Sequence, residues 1–258
     1  MNRFKLIACE VFYREFCYIV ATSKNIVDME FVTQGLHDLD SNDMRAKLQE
    51  RINNVDTEKY KAILLGYGLC NNGITGLTTS KIPLVVPKAH DCITFFFGSK
   101  EKYREYFDAN PGTYYKTTGW IERDTVNMET MQSFKLQKLG LNKTYEEYVQ
   151  LYGEENAKYI LETLGKGIDN YTKYSYIDME IVKTPEYEEE TKVKAKKKNC
   201  KFEHIEGNLK LFKNLVDGNW NKEDFLIVQP GYTISVTYDN EIIKCAKCPV
   251  KEKESDSK

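Results

Sequence analysis

The sequence lacks the features that mark several large classes of protein. Over 258 residues the formal net charge is only −2, so its charge favours neither nucleic acid nor an anionic membrane as a partner. Its longest apolar stretches, such as residues 93–97, fall far short of the ~20 residues that a membrane-spanning helix needs. Residues 6–9 are followed at once by Glu10, so the N-terminus also lacks the apolar core of a signal peptide. These absences predict a cytoplasmic protein without a membrane or nucleic-acid partner.

The common local signatures of catalysis and nucleotide binding are missing as well. The chain has no Ser–His–Asp signature, no P-loop and no G-x-G-x-x-G fingerprint. It has only three histidines, but it has seven cysteines. In a reducing compartment, cysteines are more often free thiols, metal ligands or reactive groups than a disulfide framework.

Soft or titratable side chains follow four predicted strands, FKLIA, VDMEFVTQ, AILLG and IPLVVP. In an open sheet of parallel strands, the carboxyl ends lie on one edge, where ligands bind. If the four strands are parallel neighbours, three thiols and two imidazoles converge on that edge. The side chains at these ends are Cys9, Glu10, His37, Cys70, His90, Asp91 and Cys92.

These residue types predict a metal site. Thiolate favours zinc, copper(I) or iron–sulfur clusters, and imidazole suits zinc and other transition metals. A catalytic zinc commonly keeps three protein ligands and leaves one position open. The alternative is that the cysteines are small buried hydrophobic residues and the histidines belong to the core. The predicted ligands are Cys9, His37, Cys70, His90 and Cys92.

The loop after the third predicted strand, GYGLCNNG, is rich in residues that tolerate a positive φ. Such a loop either binds an anion or cofactor through its backbone, or makes a tight strand-to-helix turn. The predicted cofactor-binding residues in it are Gly68, Asn71, Asn72 and Gly73. Glu10 and Asp91 neighbour predicted ligands, so either can orient an imidazole or move a proton.

The pattern along the chain predicts an α/β fold with a largely parallel, Rossmann-like sheet. Helices are expected at residues 11–22, after the capping residues 41–43, and at 209–216. We predict one domain over residues 1–250, with a helical insertion at about 108–190 and a C-terminal β-hairpin. Residues 251–258 form a charged tail that is predicted to be disordered. The lysine run at 192–198 is typical of a solvated loop or face.

Four further cysteines carry less weight. Cys245 and Cys248 form a C-x-x-C with no second pair, at the end of a predicted hairpin and not at a helix N-terminus. We interpret them as an auxiliary or incidental pair. Cys17 and Cys200 are predicted to be buried structural residues.

Long blocks of the sequence resemble a prokaryotic domain family of unknown function. The blocks are QGLHD, AILLGYGLCNNGITGL, IPLVVPKAHDCITFFFGSKEKY and PGTYYKTTGWIE, with a weaker continuation at DFLIVQPGYTI. The resemblance adds Tyr114 and Trp120 to the predicted cofactor-binding residues. Some relatives have Asp in place of His90, which makes the three cysteines with His37 the better ligand set. The family pattern falls on Cys9, Gly35, His37, Gly68, Cys70, Gly73, Asp91, Cys92, Gly98, Pro111, Gly112, Tyr114, Gly119 and Trp120.

The resemblance also implies an association with corrinoid-dependent methyltransferase systems for methylated amines. The leading hypothesis is a protein that binds zinc, an iron–sulfur cluster or a corrinoid and acts in methyl or thiol group transfer. One alternative is an accessory protein that delivers metal or corrinoid to a methyltransferase. Another is a metal-free transferase that uses Cys92 with His90. Whether the protein is an enzyme, and on which substrate, stays open at this point.

Overall fold

The fold is that of a computed structural model, which describes residues 1–33, 41–70, 72–123, 145–158 and 171–248. The chain divides into two compact units. The first contains Met1–Tyr103 and Asn208–Lys258, and the second contains Arg104–Gly207. Each unit is described by itself.

A five-stranded sheet organises the first unit. Its four parallel strands lie in the order β2-β1-β3-β4, and an antiparallel strand β8 closes the edge beyond β4. The largely parallel sheet is therefore confirmed. The strands are β1 (Arg3–Cys9), β2 (Ile26–Val32), β3 (Ala62–Gly66), β4 (Leu84–Pro87) and β8 (Phe225–Val228).

Burial explains why these segments form strands. Every residue of β3 and β4 is buried, as expected for central strands that are covered on both faces. Strand β2 lies at the edge and is only half-buried. Its carboxylates are paired, because Asp28 accepts from Arg3 at 2.9 Å and Glu30 from Lys5 at 2.8 Å. Charged side chains of this kind suit an edge strand.

Helices α1 (Tyr13–Thr22) and α2 (Ser41–Asn53) cover opposite faces of this sheet. The ring of Phe31 on β2 lies 4.9 Å from the ring of Tyr13 on α1. The preceding residue, Glu30, instead pairs with Arg51 of α2 at 2.5 Å. Because successive strand residues point to opposite faces, the two helices lie on opposite sides. Helix α1 begins two residues after the predicted start, and α2 begins at Ser41, within the residues that were predicted to cap it.

A cluster of phenylalanine rings fills the core on the α1 side. It joins the residues before α1 to α3 (Cys92–Phe97) and α8 (Lys210–Asp217). The ring centre of Phe12 lies 4.6 Å from that of Phe95 and 5.1 Å from that of Phe212. Burial of these rings provides a large share of the apolar stabilisation of the unit. The members are Phe12, Phe16, Phe95, Phe96 and Phe212, and all are fully buried.

The first unit ends in the predicted hairpin. Strands β9 (Tyr232–Val236) and β10 (Ile243–Lys247) pair in antiparallel fashion. Strand β9 also makes an isolated bridge between Thr233 and Thr78, a residue of the long β3–β4 connection.

The second unit differs from the predicted helical insertion. It contains a parallel three-stranded sheet in the order β5-β6-β7, with β5 (Thr113–Thr117), β6 (Lys173–Asp178) and β7 (Lys201–Glu206). Helix α7 (Pro185–Lys197) includes most of the lysine run and packs against this sheet. The other described helices are α4 (Lys100–Ala109), which begins in the first unit, α5 (Thr118–Glu122) and α6 (Tyr145–Tyr152).

Across the described ranges, none of the helices has both the length and the apolar character that crossing a membrane requires.

Candidate functional site

The candidate site lies at the carboxyl ends of β1, β3 and β4. Cys9 is the last residue of β1, Cys70 lies in the loop after β3, and Cys92 begins α3 just after β4. The strand order reverses between β1 and β3, because the chain runs outward to β2 on one side and to β4 on the other. In open α/β sheets, such a switch point is where ligands bind. Two of the predicted ligands, Cys9 and Cys70, therefore flank it.

Cys9 is a deeply buried thiol, with 1% of its surface exposed. Burial raises its pKa to about 12, against an ordinary value of 9.0. The backbone amide of Val11, which hydrogen-bonds to the sulfur, and the nearby hydroxyl of Tyr67 partly oppose that rise in pKa. At neutral pH the folded protein therefore holds Cys9 as a protonated thiol.

The sulfur of Cys70 accepts hydrogen bonds from two backbone amides, those of Gly68 and Cys92. Its surroundings desolvate it, and this raises its pKa well above the ordinary value. The charges of Asp91 and of a Cys9 thiolate raise the pKa further, while the two amides lower it. Cys70 itself is partly exposed and has a positive φ of 42°. Cys70 is thus close enough to Cys9 for the charge of a Cys9 thiolate to raise the pKa of Cys70.

Asp91 fixes the start of α3. Its Oδ1 accepts from the amides of Ile93 at 2.9 Å and Thr94 at 3.2 Å, as an N-cap residue does. Its Oδ2 accepts from the Tyr103 hydroxyl at 3.2 Å. Burial raises the pKa of Asp91, and these hydrogen bonds oppose the rise. Asp91 therefore holds the amide of Cys92 in place beneath Cys70.

The loops after β3 and β4 are joined backbone to backbone. The amide of Leu69 donates to the carbonyl of Ala89 at 2.8 Å, and that of Cys70 donates to His90 at 2.9 Å. A Cβ atom on Gly68 would lie only 2.8 Å from the backbone N and Cα of Asp91, so only glycine fits there. The amide of Gly73 is likewise used within the protein, on the Cys70 carbonyl at 3.1 Å. This use of the loop amides favours the tight-turn interpretation of the loop.

The structure brings together only part of the predicted ligand set. Cys70 lies within range of the charge of Cys9, Cys92 contributes its amide, and the His90 side chain is exposed at the surface. His37 and Asn71 lie outside the described residues. Within the part of the chain that the structure describes, His, Cys, Asp and Glu side chains form no group of three or more that could hold a metal ion.

The remaining predicted residues have varied positions. Glu10 begins the turn after β1, where its charge raises the pKa of Cys9, and Asn72 lies exposed in the Cys70 loop. Tyr114 on β5 and Trp120 on α5 belong to the second unit. All seven cysteines are thiols and not halves of disulfides: Cys9, Cys17, Cys70, Cys92, Cys200, Cys245 and Cys248.

Sequence reasoning missed Tyr67 as a member of the site. Its side chain is 1% exposed, and its hydroxyl lies near the Cys9 sulfur and lowers the pKa of that thiol. Burial raises the pKa of Tyr67 well above its usual range, and the charges of Cys9 and Cys70 add to this. The one available signal was its position between two glycines directly after a buried strand.

A family model described as a protein of unknown function (DUF1638) matches residues 31–216. The chain belongs to the DUF1638 family. The DUF1638 match includes Cys70, Asp91 and Cys92, whereas Cys9 and the hairpin β9–β10 lie outside it. No curated protein and no solved structure matches the chain.

The buried thiol of Cys9 predicts a loss of stability of this DUF1638 protein at alkaline pH. The folded state holds the Cys9 proton up to about pH 12, whereas the unfolded chain releases it near pH 9. The contribution of this proton to the free energy of unfolding is therefore complete below pH 9 and is lost as the pH rises towards 12. Over that pH range, one such proton lowers the free energy of unfolding by about 1.4 kcal/mol per pH unit.

Urea unfolding at pH 8, 9, 10 and 11 measures this effect. We expect Cys9→Ala to lower the pH dependence of the free energy of unfolding above pH 9, relative to the unmodified protein. Cys17→Ala, a change on α1, is the matched control and should leave that dependence unchanged. If the free energy of unfolding of Cys9→Ala fell as steeply with pH as that of the unmodified protein, Cys9 would not be the source of the alkaline loss of stability.

Proposed function

We propose that this protein binds a soft metal ion, or a metal-bearing cofactor, through the thiolates of Cys9 and Cys70. The observation that carries the proposal is the proximity of the buried thiol of Cys9 and the thiol of the partly exposed Cys70 at the switch point between β1 and β3. Two convergent sulfur ligands select zinc, copper(I), iron–sulfur clusters or other soft centres over hard cations. Zinc is the leading candidate, and an iron–sulfur cluster or a corrinoid is the alternative.

The surroundings of the thiols support a ligand role over a metal-free nucleophile. A nucleophilic cysteine needs a lowered pKa, but the pKa values of Cys9 and Cys70 are raised. A metal ion displaces the thiol proton when it binds, so a raised pKa is compatible with coordination. The amides of Gly68 and Cys92 then stabilise the bound sulfur of Cys70, as hydrogen bonds to ligating sulfur do.

Two thiolates leave further coordination positions to be filled. His37 is the predicted third protein ligand, and it lies outside the described residues. A position left for an outside ligand would suit methyl or thiol transfer, in which the metal activates the transferred group. This chemistry, and a corrinoid or methyltransferase partner, belong to the proposal. The accessory alternative uses the same thiols to carry metal or corrinoid to a methyltransferase.

Elemental analysis of anaerobically purified protein tests the proposal. We expect about one metal ion per chain in the unmodified protein, as for a single protein-bound centre. Cys9→Ser and Cys70→Ser should each lower that value to near zero, because a hydroxyl is a poor ligand for a soft metal. His37→Ala is measured beside them to test the third ligand.

Cys17→Ser and Cys200→Ser are the matched controls, since both are partly exposed thiols, Cys17 on α1 and Cys200 just before β7 in the second unit. They should keep the full metal content. An unmodified protein without metal or corrinoid, even after reconstitution under anaerobic conditions, would refute the proposal. Transfer of the bound metal or corrinoid to a methyltransferase without turnover would favour the accessory alternative.

A further inference from the structure

The connection between β3 and β4 carries Cys70 but contains no described helix. Its backbone amides and carbonyls must therefore form hydrogen bonds with other parts of the fold. Cys70, Asn72 and Gly76 have positive φ values of 42°, 65° and 87°. An irregular segment of this kind keeps one conformation only when its neighbours hold it. Two neighbours do so, strand β9 and helix α2.

Strand β9 holds the far end of the segment from one side. The Gly76 amide donates to the carbonyl of Ile234 at 2.8 Å, and the Ile234 amide donates to Leu77 at 3.2 Å. The Thr233 hydroxyl also donates to the Leu77 carbonyl, at 3.1 Å. These bonds join the Cys70 segment to the C-terminal hairpin.

The side chain of Gln49, on α2, holds the segment from another direction. Its Oε1 accepts from the Thr78 amide at 2.9 Å, and its Nε2 donates to the Thr78 carbonyl at 3.1 Å. One side-chain amide thus satisfies both backbone groups of Thr78, as a neighbouring strand residue would. A second contact from α2 lies three residues earlier in the segment, where Arg45 donates to the Thr75 carbonyl at 3.4 Å.

We infer that Gln49 is a positioning residue for Cys70, which fixes the loop that presents this thiol at the candidate site. The inference rests on the proposed function for its relevance to metal binding, but the geometry of the loop stands apart from any metal. Without Gln49, the amide and carbonyl of Thr78 lose their partners. The segment that carries Cys70 then opens more often while the sheet stays intact.

Thiol labelling of the full-length, metal-free protein tests this role. Trypsin separates the three site thiols into residues 6–14, 62–81 and 89–100, so mass spectrometry follows Cys9, Cys70 and Cys92 individually. We expect Gln49→Leu to raise the rate at which N-ethylmaleimide labels Cys70 about tenfold. This factor corresponds to the loss of the two hydrogen bonds between Gln49 and the Thr78 backbone. The labelling rate of Cys9, on the central strand β1, should change less than twofold.

Asn53→Ala is the matched control, because it removes the third partner of the Gln49 amide, at 2.8 Å, and keeps both bonds to Thr78. It should leave Cys70 labelling unchanged. If Cys9 and Cys70 labelling rise together in Gln49→Leu, the residue only stabilises the fold and the inference is overturned. Unchanged Cys70 labelling would also overturn it. Absence of metal, measured separately, would count against the proposed function alone.

Discussion

Replacement of Phe212 by alanine is expected to lower the free energy of unfolding by about 3–5 kcal/mol. Phe212 is fully buried on α8, and its ring contacts those of Phe12, Phe16, Phe95 and Phe96 at centre-to-centre distances of 5.1–5.9 Å. Its removal leaves a cavity among four rings that are anchored on three segments, the turn before α1, α1 itself and α3. Urea unfolding followed by circular dichroism measures the change.

Tyr238→Ala is the control for the Phe212 variant. Tyr238 is a large aromatic residue of the same unit, but 99% of its surface is exposed. Its replacement should change the free energy of unfolding by less than about 0.5 kcal/mol. A similar cost for the two variants would mean that the phenylalanine cluster is not the apolar centre of the unit.

The second large effect is expected for Gly68→Ala. The new methyl group would lie 2.8 Å from the backbone of Asp91, and backbone atoms that are bonded across two loops cannot move aside cheaply. We expect a loss of about 2–3 kcal/mol, which lowers the melting temperature by roughly 4–12 °C. The same change separates the Gly68 amide from the Cys70 sulfur, so the proposed function also predicts a lower metal content.

Gly73→Ala, five residues further along the same loop, is the matched control for Gly68→Ala. There the added Cβ would meet only the Met44 side chain, whose flexible thioether end can move away. Thermal unfolding should therefore show a clearly smaller shift for Gly73→Ala. Equal shifts would indicate that the close approach to Asp91 does not determine the cost.

The main sheet was predictable because its strands are marked by composition. The segments AILLG and LVVP are continuous apolar runs bounded by glycine or proline, and such runs form buried parallel strands. The positions of Cys9 and Cys70 at one sheet edge follow from the same rule. The location of the candidate site at this sheet edge was thus predictable, although the hydrogen-bond partners of each sulfur were not.

The sheet of the second unit was not predictable from local pattern. Strand β5 pairs with β6, which begins 60 residues later, at Lys173. Tyrosine-rich segments such as TYYKT form strands only when a partner is available, because strand propensity depends on context. Helix α7 did carry a signal, since Glu188 and Lys192 are four residues apart and pair at 2.9 Å.

The site residues that were missed share one physical cause. The contacts of Tyr67 with Cys9, of Tyr103 with Asp91 and of Gln49 with Thr78 all depend on the path of a loop in space. Hydrophobic periodicity carries no information about such paths. The spacing of cysteines likewise said nothing of the amides that surround the Cys70 sulfur.

The order in which the first unit is assembled affects the protein during its synthesis. Strands β1 to β4 leave the ribosome early, but β8 and the ring of Phe212 follow only after the whole second unit. At usual rates of translation, the intervening segment takes on the order of ten seconds to appear. Over that interval the nascent chain has an unpaired β4 edge and an incomplete aromatic cluster. We therefore expect the early half of this protein to depend on protection of its exposed apolar surface during translation.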